Sequence, residues 1–209
     1  MKSFDHYEFT GIVVPGALAV IGISLLYPEL RPVFLAKDIT VGSLGIFIIL
    51  AYIAGHLLQA IGNVIESVWW KLFLGIPTDW VRSKKDDLIA SAQFEALEIS
   101  LQRKLGLQGP IKMGEIDRQA WFSITRQIYA AVSAQSRAGR VDIFNGNYGL
   151  NRGIASGFLF ISVLIIANNL SYWPVALGTL AGAIIALYRM HRFAKLYAIE
   201  LFVQFLQLP

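Results

Sequence analysis

Four stretches of apolar residues divide the chain. They run from about Phe9 to Leu26, Val41 to Ile65, Gly153 to Ala167 and Trp173 to Tyr188, and none contains a lysine, arginine, aspartate or glutamate. A helix needs roughly 20 mostly apolar residues to cross the hydrocarbon core of a bilayer. The pattern therefore predicts four transmembrane spans, arranged as two helical hairpins over residues 1–70 and 153–190.

The segment between the hairpins, residues 71–152, is more polar and has the spacing of amphipathic helices. One helix is predicted from about Asp86 to Leu105 and another from about Glu115 to Ser136. Residues 191–209 continue the helical pattern of the fourth span. We therefore expect an all-α polytopic membrane protein, with a basic helical domain between spans two and three and a helix at the C-terminus.

The composition fits this class and offers no sign of catalysis. Hydrophobic residues make up 56% of the 209 residues and charged residues 15%, outside the usual range of soluble domains. The chain contains no cysteine, which excludes a disulfide framework or a thiolate metal site. It also lacks a nucleophile elbow, a P-loop and a dinucleotide fingerprint. We therefore expect neither an enzyme nor a bound metal or other cofactor.

The distribution of positive charge predicts the orientation. Lysine and arginine are frequent in residues 71–152 and after the fourth span, whereas the loop between spans one and two has only Arg31 and Lys37. Cytoplasmic loops of membrane proteins carry the excess of these residues. We expect a multi-pass protein of the bacterial inner membrane, with the middle domain and both termini in the cytoplasm.

A polar stripe follows one face of the second span. Its members, Tyr52, His56, Gln59, Asn63 and Glu66, are separated by four, three, four and three residues. A charged side chain at the bilayer centre costs about 2.5–3.5 kcal/mol on insertion scales, so such groups normally face protein or water. Two interpretations stay open. The stripe lines a hydrated path or gate, or it hydrogen-bonds helices together, with Asn63 and Glu66 at the cytoplasmic headgroups.

Small residues in the spans predict close helix packing, within one subunit or between subunits. They are Gly55 and Gly62 in span two, Gly153 and Gly157 in span three, and Gly178 and Gly182 in span four. The last two pairs form GxxxG patterns, which let helix backbones approach one another.

Basic residues cluster close to the spans. They are Arg82, Lys84, Lys85, Arg137, Arg140, Arg152, Arg189, Arg192 and Lys195. They set the topology, and they also offer a surface for anionic lipids or an acidic partner. Binding of nucleic acid is not expected, because acidic residues are mixed through the same segment.

Two short segments carry a resemblance to a known group of proteins. They read AYIAGHLLQAIGN at residues 51–63 and YGLNRG at residues 148–153. With the arrangement of two spans, a basic insert and two more spans, the chain resembles the small four-helix membrane proteins of bacterial antiphage defence systems. The resemblance implies a protein that senses membrane disturbance, or perturbs the membrane when a cytoplasmic partner triggers it.

The leading functional expectation is a homo-oligomeric sensor or effector of the inner membrane, with a tetramer as one candidate assembly. It would contact membrane lipids and couple a cytoplasmic protein partner to the transmembrane bundle. Two alternatives remain: an ion channel or small transporter, and a passive membrane anchor for a soluble partner enzyme.

Overall fold

A computed structural model of the chain describes residues 9–30, 32, 41–106, 111–168 and 170–209, so Arg31 and Lys37 lie outside it. Every regular element of these residues is helical, and the predicted all-α class is confirmed. The α-helices are α1 (Val14–Leu26), α2 (Val41–Leu72), α3 (Pro77–Arg82), α4 (Ser91–Leu105), α5 (Arg118–Ala134), α6 (Gly139–Asn168) and α7 (Trp173–Leu206). A π-helical turn, Phe9–Val13, precedes α1.

Three helices, α2, α6 and α7, are long and apolar enough to cross a membrane. The first predicted span corresponds to a shorter apolar helical stretch, Thr10–Leu26, formed by the π-helical turn and α1. At 1.5 Å per residue this stretch is about 25 Å long, near the lower limit for a span. Length and composition therefore establish three membrane-length helices.

The chain divides into two compact units. Unit 1 comprises Met1–Trp69 and Gly146–His191, and unit 2 comprises Trp70–Asn145 and Arg192–Pro209. The corresponding boundaries predicted from the sequence fall after residues 70, 152 and 190. The middle boundary differs most: Tyr148 and Arg152, which look like parts of a polar connector in the sequence, have hydrogen-bond partners on α2.

Helix α6 begins at Gly139, fourteen residues before the predicted third span. The intervening residues are rich in glycine and asparagine, which have low helix propensity. Here the polar side chains bond to their own helix: the Asn151 amide donates to the Asn147 carbonyl at 2.7 Å. Tertiary packing stabilises the helix over this stretch despite its composition, with Val141 buried in the core of unit 2 and Arg152 held within unit 1.

Unit 2 has a hydrophobic core formed by α4, α5 and the end of α7. Its fully buried side chains include Leu97, Leu101, Trp121, Ile128, Phe202 and Phe205. The Trp121 ring stacks on Phe202 with 5.7 Å between ring centroids, and its indole N–H donates to the Thr78 carbonyl at 2.9 Å. The apolar faces of α4 and α5 are therefore buried against the last turns of α7.

Lys104 completes unit 2 by capping α7. Its ammonium group donates to the carbonyls of Phe205, Leu206 and Leu208 at 3.1, 3.1 and 2.5 Å. The last carbonyls of a helix lack partners within the helix, and a cation near them is favourable.

We therefore expect Lys104→Met to loosen the C-terminus of α7. Loss of charged hydrogen bonds of this kind costs about 1.5–3 kcal/mol. Hydrogen–deuterium exchange over residues 201–209 should become at least several-fold faster, with no change in α5. Arg103→Met is the matched control, because Arg103 is exposed on the same helix. Equal effects of the two substitutions would contradict the capping role.

Candidate functional site

A cluster of polar side chains in unit 1 joins α2 to α6. Arg152 on α6 forms an ion pair from Nη1 to Oε2 of Glu66 on α2, and its Nη2 donates to Oε1 of Gln59 at 2.6 Å. Tyr148 donates its hydroxyl to the other oxygen of Glu66. We call Gln59, Glu66, Tyr148 and Arg152 the Arg152 network. The Arg152 and Glu66 side chains are only 15% and 24% exposed, so both charges are largely withdrawn from solvent.

Helical spacing brings these four side chains together. Gln59 and Glu66 are seven residues apart on α2, and Tyr148 and Arg152 are four apart on α6, so each pair lies on one helix face. A guanidinium group presents several N–H donors in one plane, and here it contacts both α2 residues at once. Bonds to ionised partners are roughly twice as strong as neutral ones, which makes Arg152 the central member.

The network also reaches the first apolar helix. The Gln59 amide donates to the Gly11 carbonyl at 2.7 Å. Gly11 belongs to the π-helical turn Phe9–Val13. The Gln59 side chain, on α2, therefore links α6 to the turn that precedes α1.

Glycines allow the helices of unit 1 to approach this closely. A Cβ atom added to Gly55 would lie 2.1 Å from the Ile12 carbonyl oxygen, and one on Gly16 would lie 1.7 Å from that of Ala51. A Cβ atom on Gly62 would lie 2.9 Å from the Ser156 hydroxyl. These glycines therefore fix how near α2 comes to the first helix and to α6.

The other predicted packing glycines differ in their surroundings. Added Cβ atoms on Gly153, Gly157 and Gly182 would lie 2.6, 3.2 and 3.0 Å from atoms of Pro15, Leu18 and Phe158. Around Gly178 no atom lies within 4 Å of such a Cβ atom. Both glycines of the α6 pair therefore contact another helix of unit 1, whereas in the α7 pair only Gly182 does.

The residues of the predicted polar stripe fall into two groups with different surroundings. Gln59 and Glu66 turn toward α6, whereas Tyr52, His56 and Asn63 are exposed. The His56 ring packs edge-on against Tyr52, with 4.6 Å between centroids. The stripe therefore lies along the border of the buried face of α2, with its members split between the protein interior and the outer surface of the chain.

The predicted basic residues are distributed over both units. In unit 2, the ammonium groups of Lys85 and Lys195 lie 4.4 and 5.1 Å from the ring centroid of Trp80, and that of Lys84 lies 4.1 Å from the ring centroid of Phe94. Lys195 also pairs with Asp86 at 2.9 Å.

The remaining arginines have separate environments. Arg82 donates to the Ile116 carbonyl, Arg140 lies 3.8 Å from Glu200, and Arg137, Arg189 and Arg192 are exposed. Arg152, which the sequence analysis grouped with this surface, instead lies inside unit 1. Its guanidinium group is held in the network by the Glu66 carboxylate.

Tyr148 was not among the site residues predicted from the sequence, and Arg152 was not connected with the stripe. A signal was available, because Glu66 is the acid that ends the second apolar stretch and Arg152 is the base that precedes the third. A largely buried acid needs a buried partner of opposite charge. The position of Tyr148 one turn before Arg152 then places a hydroxyl donor beside the pair.

Comparison with protein-family models, with curated proteins and with solved structures gives no match. Within the described residues, no group of three or more histidine, cysteine, aspartate or glutamate side chains could hold a metal ion. The functional interpretation therefore depends on the geometry of unit 1 and on the helices themselves.

We expect the Arg152 network to behave as a coupled unit. Arg152→Met leaves the Glu66 carboxylate largely buried without its cation, a change that costs about 3–5 kcal/mol in well-buried pairs and less here because both groups keep some exposure. The measurement is a double-mutant cycle with Glu66→Gln, read from unfolding in detergent. The coupling energy should reach about 1–3 kcal/mol. Strictly additive effects of the two substitutions would contradict the pairing.

A second prediction concerns the glycines at which the helices of unit 1 come close together. Gly55→Ala should strongly destabilise unit 1, because the new methyl group overlaps a backbone carbonyl that cannot move without shifting the first helix. Gly178→Ala should be tolerated, or stabilise α7 by up to about 1 kcal/mol, because alanine favours helix over glycine. Thermal unfolding of the two purified variants tests this contrast. Similar losses in both would show that the helices do not pack as described.

Proposed function

We propose that the protein is a four-span, homo-oligomeric sensor or effector of the bacterial inner membrane, in which a cytoplasmic helical domain is coupled to the transmembrane bundle. One observation carries the proposal. Each of the membrane-length helices α2, α6 and α7 contributes residues to both compact units without a break. A helix shared by two units offers a direct way to transmit a change in one unit to the other.

In this proposal the fourth span is the apolar stretch Thr10–Leu26. It is short for a span, and a bilayer can thin locally around such a helix at modest cost. The packing of Gly16 and Gly55 supports its place beside α2. The excess of lysine and arginine in residues 71–152 and 192–209 supports a cytoplasmic location for those residues.

The proposed role of the Arg152 network is to hold the resting state. Glu66 and Arg152 lie within seven residues of the points where α2 and α6 pass from unit 1 to unit 2. A protein partner that binds unit 2 would displace these helices and strain the ion pair. Because packed helices tend to adopt discrete arrangements, a small displacement can produce a defined second state. The resemblance to antiphage defence proteins suggests infection as the trigger.

A second candidate function is an ion channel. It is favoured by the outward position of Tyr52, His56 and Asn63, which could line a hydrated path around a symmetry axis. The two functions differ in what they require: a channel conducts a selected ion through this path, whereas an effector disturbs the membrane after a signal. Neither function involves catalysis or a cofactor.

The test is expression of the full chain in bacteria, with membrane potential followed by a voltage-sensitive dye. Glu66→Gln removes the negative charge of the ion pair, so we expect depolarisation and slowed growth at a lower expression level than for the unchanged chain. Glu95→Gln is the matched control, because Glu95 is an exposed acid on α4. Equal amounts of each variant in the membrane fraction must be verified.

The outcomes separate the candidate functions. Depolarisation that is enhanced by Glu66→Gln supports the effector. Selective ion flux in liposomes that is abolished by His56→Leu and Asn63→Leu, with no effect of Glu66→Gln, would favour the channel. If neither the unchanged chain nor Glu66→Gln alters the membrane potential, the proposed function is wrong and a passive anchor becomes the better explanation.

A further inference from the structure

Helix α2 is the least covered of the three membrane-length helices. Only 17% of its most apolar 18-residue stretch is buried within the chain, against 44% for α6 and 28% for α7. Within unit 1 its buried residues are Ala51, Gly55, Leu58 and Gly62, which occupy one side of the helix. The remaining surface of α2 is therefore open along the proposed span.

This open surface has two chemically different sides. The first is made up mostly of small and polar residues that lie within about 80° of one another around the helix. We call it the outer polar face: Gly45, Tyr52, His56, Ala60, Asn63 and Ser67, with the exposed Ile49 as a large apolar residue among them. The second side carries Ile53, Leu57 and Val64, which are large, apolar and exposed. The second side is suited to lipid, and the first is not.

Lipid is a poor neighbour for the outer polar face. Histidine and asparagine side chains lose their hydrogen bonds to water in hydrocarbon and need polar partners there. The His56 ring packs against Tyr52, which lies on the same face. Around Gly45 no atom lies within 4 Å of an added Cβ atom, so another helix can approach closely there. Small residues together with hydrogen-bonding side chains are typical of helix–helix interfaces in membranes.

We propose that the outer polar face of α2 binds the same face of a second copy of this chain. An asparagine amide both donates and accepts hydrogen bonds, and so does a neutral histidine, so each can pair with its own counterpart. The face carries no lysine, arginine, aspartate or glutamate, and thus has nothing to attract a partner of opposite charge. Self-complementary chemistry of this kind fits an isologous contact.

The membrane restricts the geometry of this contact. Both copies have the same orientation in the bilayer, so the two-fold axis runs along the membrane normal. The two α2 helices are then parallel, and each residue of the face lies near its own counterpart. The inference rests on the proposed function only in taking the protein to be a homo-oligomer. What it adds is the identity of the surface through which the subunits contact each other.

The contact lies next to the Arg152 network. Asn63 is four residues after Gln59 and three before Glu66, so one helix segment contributes to both sites. Rotation of α2 about its axis would change the subunit contact and the ion pair together. The subunit interface is therefore placed to respond when the network is broken.

Disulfide cross-linking tests the contact directly, because the chain contains no cysteine of its own. Single cysteines are introduced at Gly45, Ala60 or Asn63 of the full chain and oxidised in native membranes. Leu57→Cys and Val64→Cys are the controls at the depth of Ala60 and Asn63, and Ile53→Cys is a further control on the second side. We expect disulfide-linked dimers from the outer polar face at a yield roughly tenfold above the controls.

A second variant tests the role of the polar side chains. In the Ala60→Cys background, Asn63→Leu should lower the dimer yield several-fold, because hydrogen bonds across the interface are lost. Val64→Ala in the same background should leave the yield unchanged. Both variants must reach the membrane at the level of the parent chain.

Three outcomes would overturn the inference. Equal yields at the face and the controls would indicate random collisions. Modification of the three face cysteines by a membrane-impermeant thiol reagent, without dimers, would indicate a water-filled path. Adducts only with a protein of another mass would indicate a different partner. Specific dimers with no change in membrane potential would keep the interface and reject the proposed function, so the two failures are distinguishable.

Discussion

The placement of one guanidinium group determines how the helices of unit 1 meet. Arg152 is largely buried, and its charge is compatible with that environment only because Glu66 and Gln59 meet it from α2. Those bonds set the register between α2 and α6. Gln59 in turn donates to the Gly11 carbonyl, in the π-helical turn that precedes α1. A chain of hydrogen bonds therefore joins the π-helical turn to Gln59 on α2 and to Arg152 on α6.

The glycines of unit 1 leave the space that these hydrogen bonds between helices need. Polar side chains as short as glutamine reach another helix only when the backbones are close, and Gly16, Gly55 and Gly62 remove the side chains that would separate them. Packing and hydrogen bonding thus depend on each other in unit 1. A larger residue at Gly62 would press on Ser156 and on the stem of Arg152, disturbing the ion pair through packing alone.

Much of the fold could be predicted because apolar runs and helical spacing are local properties. The helix class, the three long helices and the two amphipathic helices of unit 2 follow from such patterns. The start of α6 could not be predicted, since Tyr148, Asn151 and Arg152 look like parts of a polar connector. Their partners include Glu66, more than eighty residues earlier, and no local pattern reveals that contact.

At the candidate site, too, local sequence patterns do not reveal the contacts between helices. Spacing places five polar residues on one face of α2, but it cannot say which edge of that face is buried. The small residues decide this, because α2 packs on the side of Ala51, Gly55 and Gly62. Gln59 and Glu66 border that side and find partners within the chain, while His56 and Asn63 point away from it. A single polar stripe thereby serves two surfaces. In the proposed function this division matters, because a helix that is fixed by an ion pair on one edge and by a second copy on the other cannot turn without altering both.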